Sequence, residues 1–255
     1  MSKNQLIIQL SENFCSLAEL SSGELKILDS VLFQEKKDFQ YKEALKLFFD
    51  KNISSSAEYD EISVSWITPN ALLAPANIFS PSEIESLFSA CFNKTVSKSE
   101  LDYNRMMESS LVTIYEIPLW VKSFFIIRFP RVVIQHEYSH TLRGILKQNS
   151  SNLNIQVSIF PEEMILTIIN KNEIILCNSY EINHLNDIIY YFTFAMQQEK
   201  LTESKGLINF SINSLSNINE QELNENLLKL NLFSSTTNRI TFDADKSLKH
   251  QQFCV

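Results

Sequence analysis

Val133–Leu146, VIQHEYSHTLRGIL, decides the fold by where its helix begins. Read as one helix running from Pro130, it sets His136 and His140 four positions apart with Glu137 between them. That is the HExxH spelling of a zinc peptidase, two imidazole ligands and a general base on one helical face. Ile134, Tyr138, Leu142 and Ile145 would then form the apolar stripe, leaving His136, His140, Arg143 and Lys147 on a solvated face. Read instead as a strand over Arg131–Ile134 that hands over to a helix, the same letters put His136 at a strand end and His140 in the first helical turns, so the i, i+4 geometry is lost. The second reading is preferred because Arg131–Ile134, RVVI, reads as a strand, and the zinc reading also lacks a third ligand. Arg143 and Leu146 stand where the extended motif needs glycine and histidine, Glu162 and Glu163 fall in a predicted hairpin, and His184 and His250 are remote in sequence. No metal is expected, and both histidines are expected at the surface.

Working outward, the segments before this junction read as Leu6–Leu10, Phe14–Leu20 and Glu24–Phe33 (three strands, the last two joined at Ser22-Gly23), a helix over Phe39–Lys51, and a strand over Glu61–Ile67. A helix opened by Pro81 with Ser80 as cap follows, then the strand LVTIYEI, then a helix between Pro118 and Pro130. After the polar stretch QNSSNLN the meander begins again. Ile155–Phe160, Met164–Asn170 and Glu173–Ile182 are strands, Leu185–Glu199 a helix, Leu207–Ile212 a strand and Glu220–Leu230 a helix. The chain is therefore read as α/β, two tandem βββαβα units about 150 residues apart, a duplication and not a solenoid. The first lobe is set at 1–150, with an additional segment about 70–117, and the second at 151–255.

Composition narrows the function classes. With 255 residues, 44% of them hydrophobic, the chain has enough apolar surface for two ordinary cores. A formal charge of -8 and the lack of any dense Lys/Arg run argue against nucleic acid and anionic membrane as partners. The N-terminus has no secretory pattern, and Lys122 and Arg128 interrupt the longest apolar run, so a cytoplasmic protein without membrane insertion is expected. Cys15, Cys91, Cys177 and Cys254 are widely spaced and are expected as buried thiols, not a disulfide framework or metal knuckle. Trp66 and Trp120 are expected in cores, and the tail KSLKHQQFCV as a frayed terminus. Only three glycines occur, Gly23, Gly144 and Gly206, which excludes the usual phosphate-binding loops.

Two such units in tandem resemble the actin-like ATPase superfamily of actin, the heat-shock chaperones and the sugar kinases, each lobe ribonuclease-H-like. VIQHEYSHTLRGIL is similar to the chaperone segment IINEPTAAAIAYGL, where the chain leaves a strand for a helix beside the nucleotide. The strings LLAPANIFSPSEIESLF and IYEIPLWVKSFFIIRFPRVVIQH are similar, more narrowly, to a bacterial domain-of-unknown-function family, DUF3822, of the same fold.

That resemblance implies where a nucleotide would sit and what has changed there. In active members the first hairpin carries an aspartate and then a glycine. The corresponding stretch is Gln9-Leu10-Ser11-Glu12-Asn13, so the acid has become Gln9 and the glycine Ser11. The second hairpin, normally an acid and a Gly-Gly pair, reads Ile159-Phe160-Pro161-Glu162-Glu163, and the adenosine turn reads Ser211-Ile212-Asn213-Ser214. Glu12, Glu162 and Glu163 would place carboxylates where polyphosphate sits, and two like charges ~4 Å apart repel by roughly 4 kcal/mol at an effective dielectric of 20. These positions are otherwise expected as solvent-facing hairpin residues. The resemblance thus implies an actin-like fold without catalytic residues, cofactor or metal, acting as a protein-binding or scaffolding module. The alternatives are the zinc peptidase of HEYSH and an ATP-binding protein with a rewired site held by Asn13 and Asn213.

Overall fold

The computed structural model describes residues 4–34, 38–54, 58–148, 152–202, 204–230 and 238–253. The chain divides into two compact units, Met1–His140 with Leu248–Val255, and Thr141–Ser247.

In the first unit, β1 (Asn4–Leu10), β2 (Phe14–Ser21) and β3 (Glu24–Leu32) form an antiparallel meander, followed by α1 (Asp38–Asn52) and β4 (Glu61–Trp66). β5 (Ala71–Pro75), α2 (Ile84–Phe92), β6 (Leu101–Met106) and β7 (Leu111–Glu116) build the additional segment. α3 (Leu119–Arg128), β8 (Val132–His136) and the start of α4 (Glu137–Gln148) complete the unit. The main sheet has the order β3-β2-β1-β4-β8, with β1, β4 and β8 parallel. β5, β7 and β6 make a separate three-stranded sheet over which Ile84 and Phe88 of α2 pack. Helix α2 begins at Ile84 and not at Pro81: Ser80 closes a separate turn ahead of it, its hydroxyl accepting the Ser82 amide at 3.4 Å and its carbonyl the Glu83 amide at 3.0 Å.

The second unit repeats the pattern with β9 (Leu153–Ile159), β10 (Glu163–Asn170), β11 (Glu173–Glu181), α5 (Leu185–Gln198), β12 (Gly206–Ile212), α6 (Glu220–Lys229) and a further strand, β13 (Asn238–Phe242). The order β11-β10-β9-β12-β13 matches the first sheet, with β9, β12 and β13 parallel. One face of this sheet is apolar by alternation. Ile155, Val157, Leu166, Ile168, Ile208 and Phe210 meet Ile188, Phe192, Leu223 and Leu227 of the helices. The other face carries Asn154, Gln156, Ser158, Thr167, Asn209 and Ser211, all buried. The first sheet has the same character, with Gln5, Gln9, Ser16, Ser63 and Ser65 buried.

Gly206 sits where β12 meets β9, and a Cβ there would lie 2.6 Å from both the Cβ and the carbonyl oxygen of Leu153. Gly206→Ala is expected to cost about 1–3 kcal/mol through overpacking, read as a lower urea midpoint. An unchanged midpoint would show that the two strands separate freely.

The tail does not fray where it is described. α7 (Lys246–His250) and a 3-10 turn over Gln251–Phe253 seat Leu248 against Ile7, Ala18 and Leu20, while His250 and Gln251 are fully buried. Ser63 donates to Gln251 Oε1 at 2.6 Å, and the Gln251 amide donates to the Ile8 carbonyl at 3.2 Å. Gln5 Nε2 donates to Ser63 at 3.2 Å and to the Gln251 carbonyl at 3.4 Å. Cys254 lies outside the described residues. Among these residues no helix is long and apolar enough to cross a membrane.

Candidate functional site

The first hairpin is closed by its own side chains. Ser11 Oγ accepts the amides of Asn13 at 3.2 Å and Phe14 at 3.3 Å and donates to Asn13 Oδ1 at 2.7 Å. The Ser11 amide donates to Phe14 O at 3.0 Å. Tyr41 of α1 donates its hydroxyl to the Ser11 carbonyl at 2.5 Å, pinning the turn from outside. The amides of Ser11, Asn13 and Phe14 are donors that a phosphate could use, and each of the three has a partner already.

In the second hairpin the Phe160 amide donates to Glu163 O at 2.8 Å, Pro161 has no amide, and Glu162 O accepts from Ile182 N at 3.0 Å. After β12, Asn213 organises an Asx turn. Its amide donates to Ile159 O at 2.8 Å, its Oδ1 accepts from Leu215 N at 2.9 Å, and its carbonyl accepts from Ser216 N at 2.9 Å. Ser216 Oγ accepts from Ile218 N at 3.3 Å.

Of the positions expected to face solvent, Glu12 and Glu162 do so, and Asn13 and Asn213 are half-buried. Gln9, Ser11 and Glu163 are buried instead. Gln9 points to the polar face of its sheet, which strand alternation alone presents as exposed, and Ser11 is drawn in by its bonds to the turn.

The β8–α4 junction falls where the strand reading puts it. His136 is the last residue of β8 and Glu137 the first of α4, so the two histidines do not share a helix. They are not surface residues, however: His136, Glu137 and His140 are all fully buried, with Asn104 and Tyr115 of the added sheet against His136 and Ser65 of β4 against Glu137. His136 Nδ1 accepts the Tyr138 amide at 3.1 Å, which leaves the proton on Nε2 to be donated to Thr68 O at 3.1 Å. Its ring packs 5.4 Å from Tyr115 and 4.4 Å from Tyr138. Burial drives its pKa down to about 3, with the Thr68 bond opposing the shift.

Ser65 donates to Glu137 Oε2, and Ser139 donates to Thr113 at 3.0 Å. Asn104 of β6 accepts the His136 amide at 2.8 Å, which ties the added sheet to the junction. With both nitrogens of His136 engaged and Glu137 held by Ser65, the HEYSH arrangement does not present a peptidase ligand set. Among the described residues no three His, Cys, Asp or Glu side chains gather to hold a metal. His184 stands at the start of α5, its amide held by Asp187 at 2.9 Å.

Cys15 is buried, and desolvation, aided by the charge of Asp29, raises its pKa, so it stays a thiol. Cys177 is half-buried and Cys91, in the last turn of α2, is exposed, against the expectation of buried thiols. Trp66 is buried with its indole donating to Glu116 O at 2.8 Å, whereas Trp120 is only half-buried and packs edge-on to Tyr41.

The family model described as Protein of unknown function (DUF3822) matches residues 1–231. No curated protein matches. A solved structure from Bacteroides thetaiotaomicron, described as a protein with actin-like ATPase fold and unknown function, is similar at TM-score 0.78 and 16% identity, over 99% of this chain and 95% of that one. That likeness establishes the actin-like ATPase fold. Two fainter likenesses are AlfA from a B. subtilis plasmid in its filament (TM-score 0.46, 10% identity, 98% of each chain) and a PilM-PilN type IV pilus biogenesis complex (TM-score 0.44, 11% identity, 98% of this chain and 86% of that one).

Proposed function

The chain belongs to the DUF3822 family, and on that premise we propose that it is an actin-like-fold protein that does not turn over ATP and serves as a binding or scaffolding module for another protein. The observation that carries this reading is the spent donors of the first hairpin: the amides of Ser11, Asn13 and Phe14 all have internal acceptors. A triphosphate would have to break those bonds to use these three amides, and an unmade buried hydrogen bond costs about 1–3 kcal/mol. Pro161 and the carboxylates at Glu12, Glu162 and Glu163 add to the same direction. An acidic, cytoplasmic partner-binding protein fits the net charge of -8.

Calorimetric titration with magnesium-ATP is expected to give no saturable heat. Micromolar binding, or hydrolysis that disappears on changing Glu162, would replace this reading with the rewired ATP site.

A further inference from the structure

We propose that a cavity at the carboxyl ends of β12 and β13 binds a guanidinium group on a short hydrocarbon stem, the arginine side chain of a partner protein. The inference deepens the binding-module reading and rests on it. The cavity, about 220 Å³, is lined by Phe210, Ile212 and Ile218, by Ser214 and Ser216, and by Glu220 at the start of α6. Asn213 and Ala244 complete it. In open α/β sheets the crevice beyond the carboxyl ends of parallel strands is the usual ligand position. Clefts for drug-sized ligands run to about 300–1,000 Å³, so this one suits a single side chain better than a nucleoside polyphosphate.

Its chemistry favours a donor-rich cation. The amides of Asn213, Leu215, Ser216 and Ile218 are already committed to Ile159, Asn213 and Ser216, so these four are not offered to a ligand. Its one charged lining group is the carboxylate of Glu220, with the hydroxyls of Ser214 and Ser216 as further polar groups, the latter already accepting the Ile218 amide. Asp243 and Asp245 flank Ala244 in sequence. No Lys or Arg is among the described residues lining the cavity. Lys246, two positions beyond Ala244, instead lines a different cavity beside Gln156 and Asn209. A planar fork of N–H donors matches a carboxylate and nearby hydroxyls, while the methylenes behind it lie against Phe210, Ile212 and Ile218.

The test is a methyl NMR titration of the full chain with agmatine and with the blocked tripeptide acetyl-Gly-Arg-Gly-amide. Saturable millimolar shifts of the Ile212 and Ile218 methyls by both probes are expected. Affinity should fall at least tenfold in Glu220→Gln, and the response should vanish in Ser214→Arg, whose own guanidinium fills the space. Response to agmatine but not to the tripeptide overturns the partner side chain as occupant. No response, or equal affinity in wild type and Glu220→Gln, overturns the site. If magnesium-ATP gives heat while these methyls still answer both probes, the preceding functional reading fails and the guanidinium site is supported.

Discussion

Taken from pH 7 to about pH 4.5, the protein is expected to lose roughly 2–3 kcal/mol of folding stability through His136 alone. In the unfolded chain this imidazole gains its proton near pH 6.5. In the folded protein it resists until about pH 3, because it is buried and because Nδ1 faces the Tyr138 N–H, where a second proton would set donor against donor. Between those values the unfolded state binds more protons. Stability that is intact above pH 6.5 therefore drains away on acidification, and the loss from this group is complete near pH 3.

His136→Asn isolates the effect. The variant should be less stable at pH 7 by about 1–3 kcal/mol, for the bond to Thr68 that asparagine does not reach, yet its loss on acidification should be smaller than that of wild type by the 2–3 kcal/mol assigned to the imidazole. Urea unfolding of both proteins across this range gives the answer. Parallel pH profiles would show that the imidazole titrates normally and that the junction is open to water.

Removing Lys246–Val255 is expected to destabilise the first unit by roughly 3–7 kcal/mol. Burial of Leu248 contributes about 1.5–3 kcal/mol, and the bonds that Gln251 makes with Ser63, Ile8 and Gln5 about 0.5–1.5 kcal/mol each. Gln251→Ala is the milder companion, expected at about 1–3 kcal/mol, and it keeps the question answerable if the truncated chain does not fold. A truncated protein with the wild-type urea midpoint would mean that this segment does not hold the sheet. The family match ends at residue 231, so this part of the first unit comes from sequence beyond the matched region.

Much of the fold was legible because local chemistry marks it. Pro118 and Pro130 bracket α3, and the β-branched pair Val132-Val133 declares β8 before Glu137 opens α4, which separates the two histidines of HEYSH. The repeated meander was readable for the same reason: alternation, turns and length agree in both halves. β5 and β6 were missed, since ALLAP ends in proline and LDYNRM carries charges and amides in a strand only partly covered. β13, five residues at an edge, gave too short a pattern.

The polar faces were missed for a different cause. Gln5, Gln9, Ser63, Asn154, Gln156 and Asn209 alternate with apolar residues as a solvated strand does, and nothing in that pattern shows that a distant segment will cover it. Gln251, which bonds across Ser63, is 188 residues away from it. The closed state of the first hairpin was unreadable in principle, because it depends on which way one hydroxyl points.

That hydroxyl makes a single side chain the closure of the turn. Exchanging Ser11 for glycine would release the Asn13 and Phe14 amides, but the carbonyl of the same residue would still be tethered by the phenol of Tyr41. The turn would keep its anchor on α1 while two of its amides came free, so the seating of the hairpin and the closure of its donors are separable.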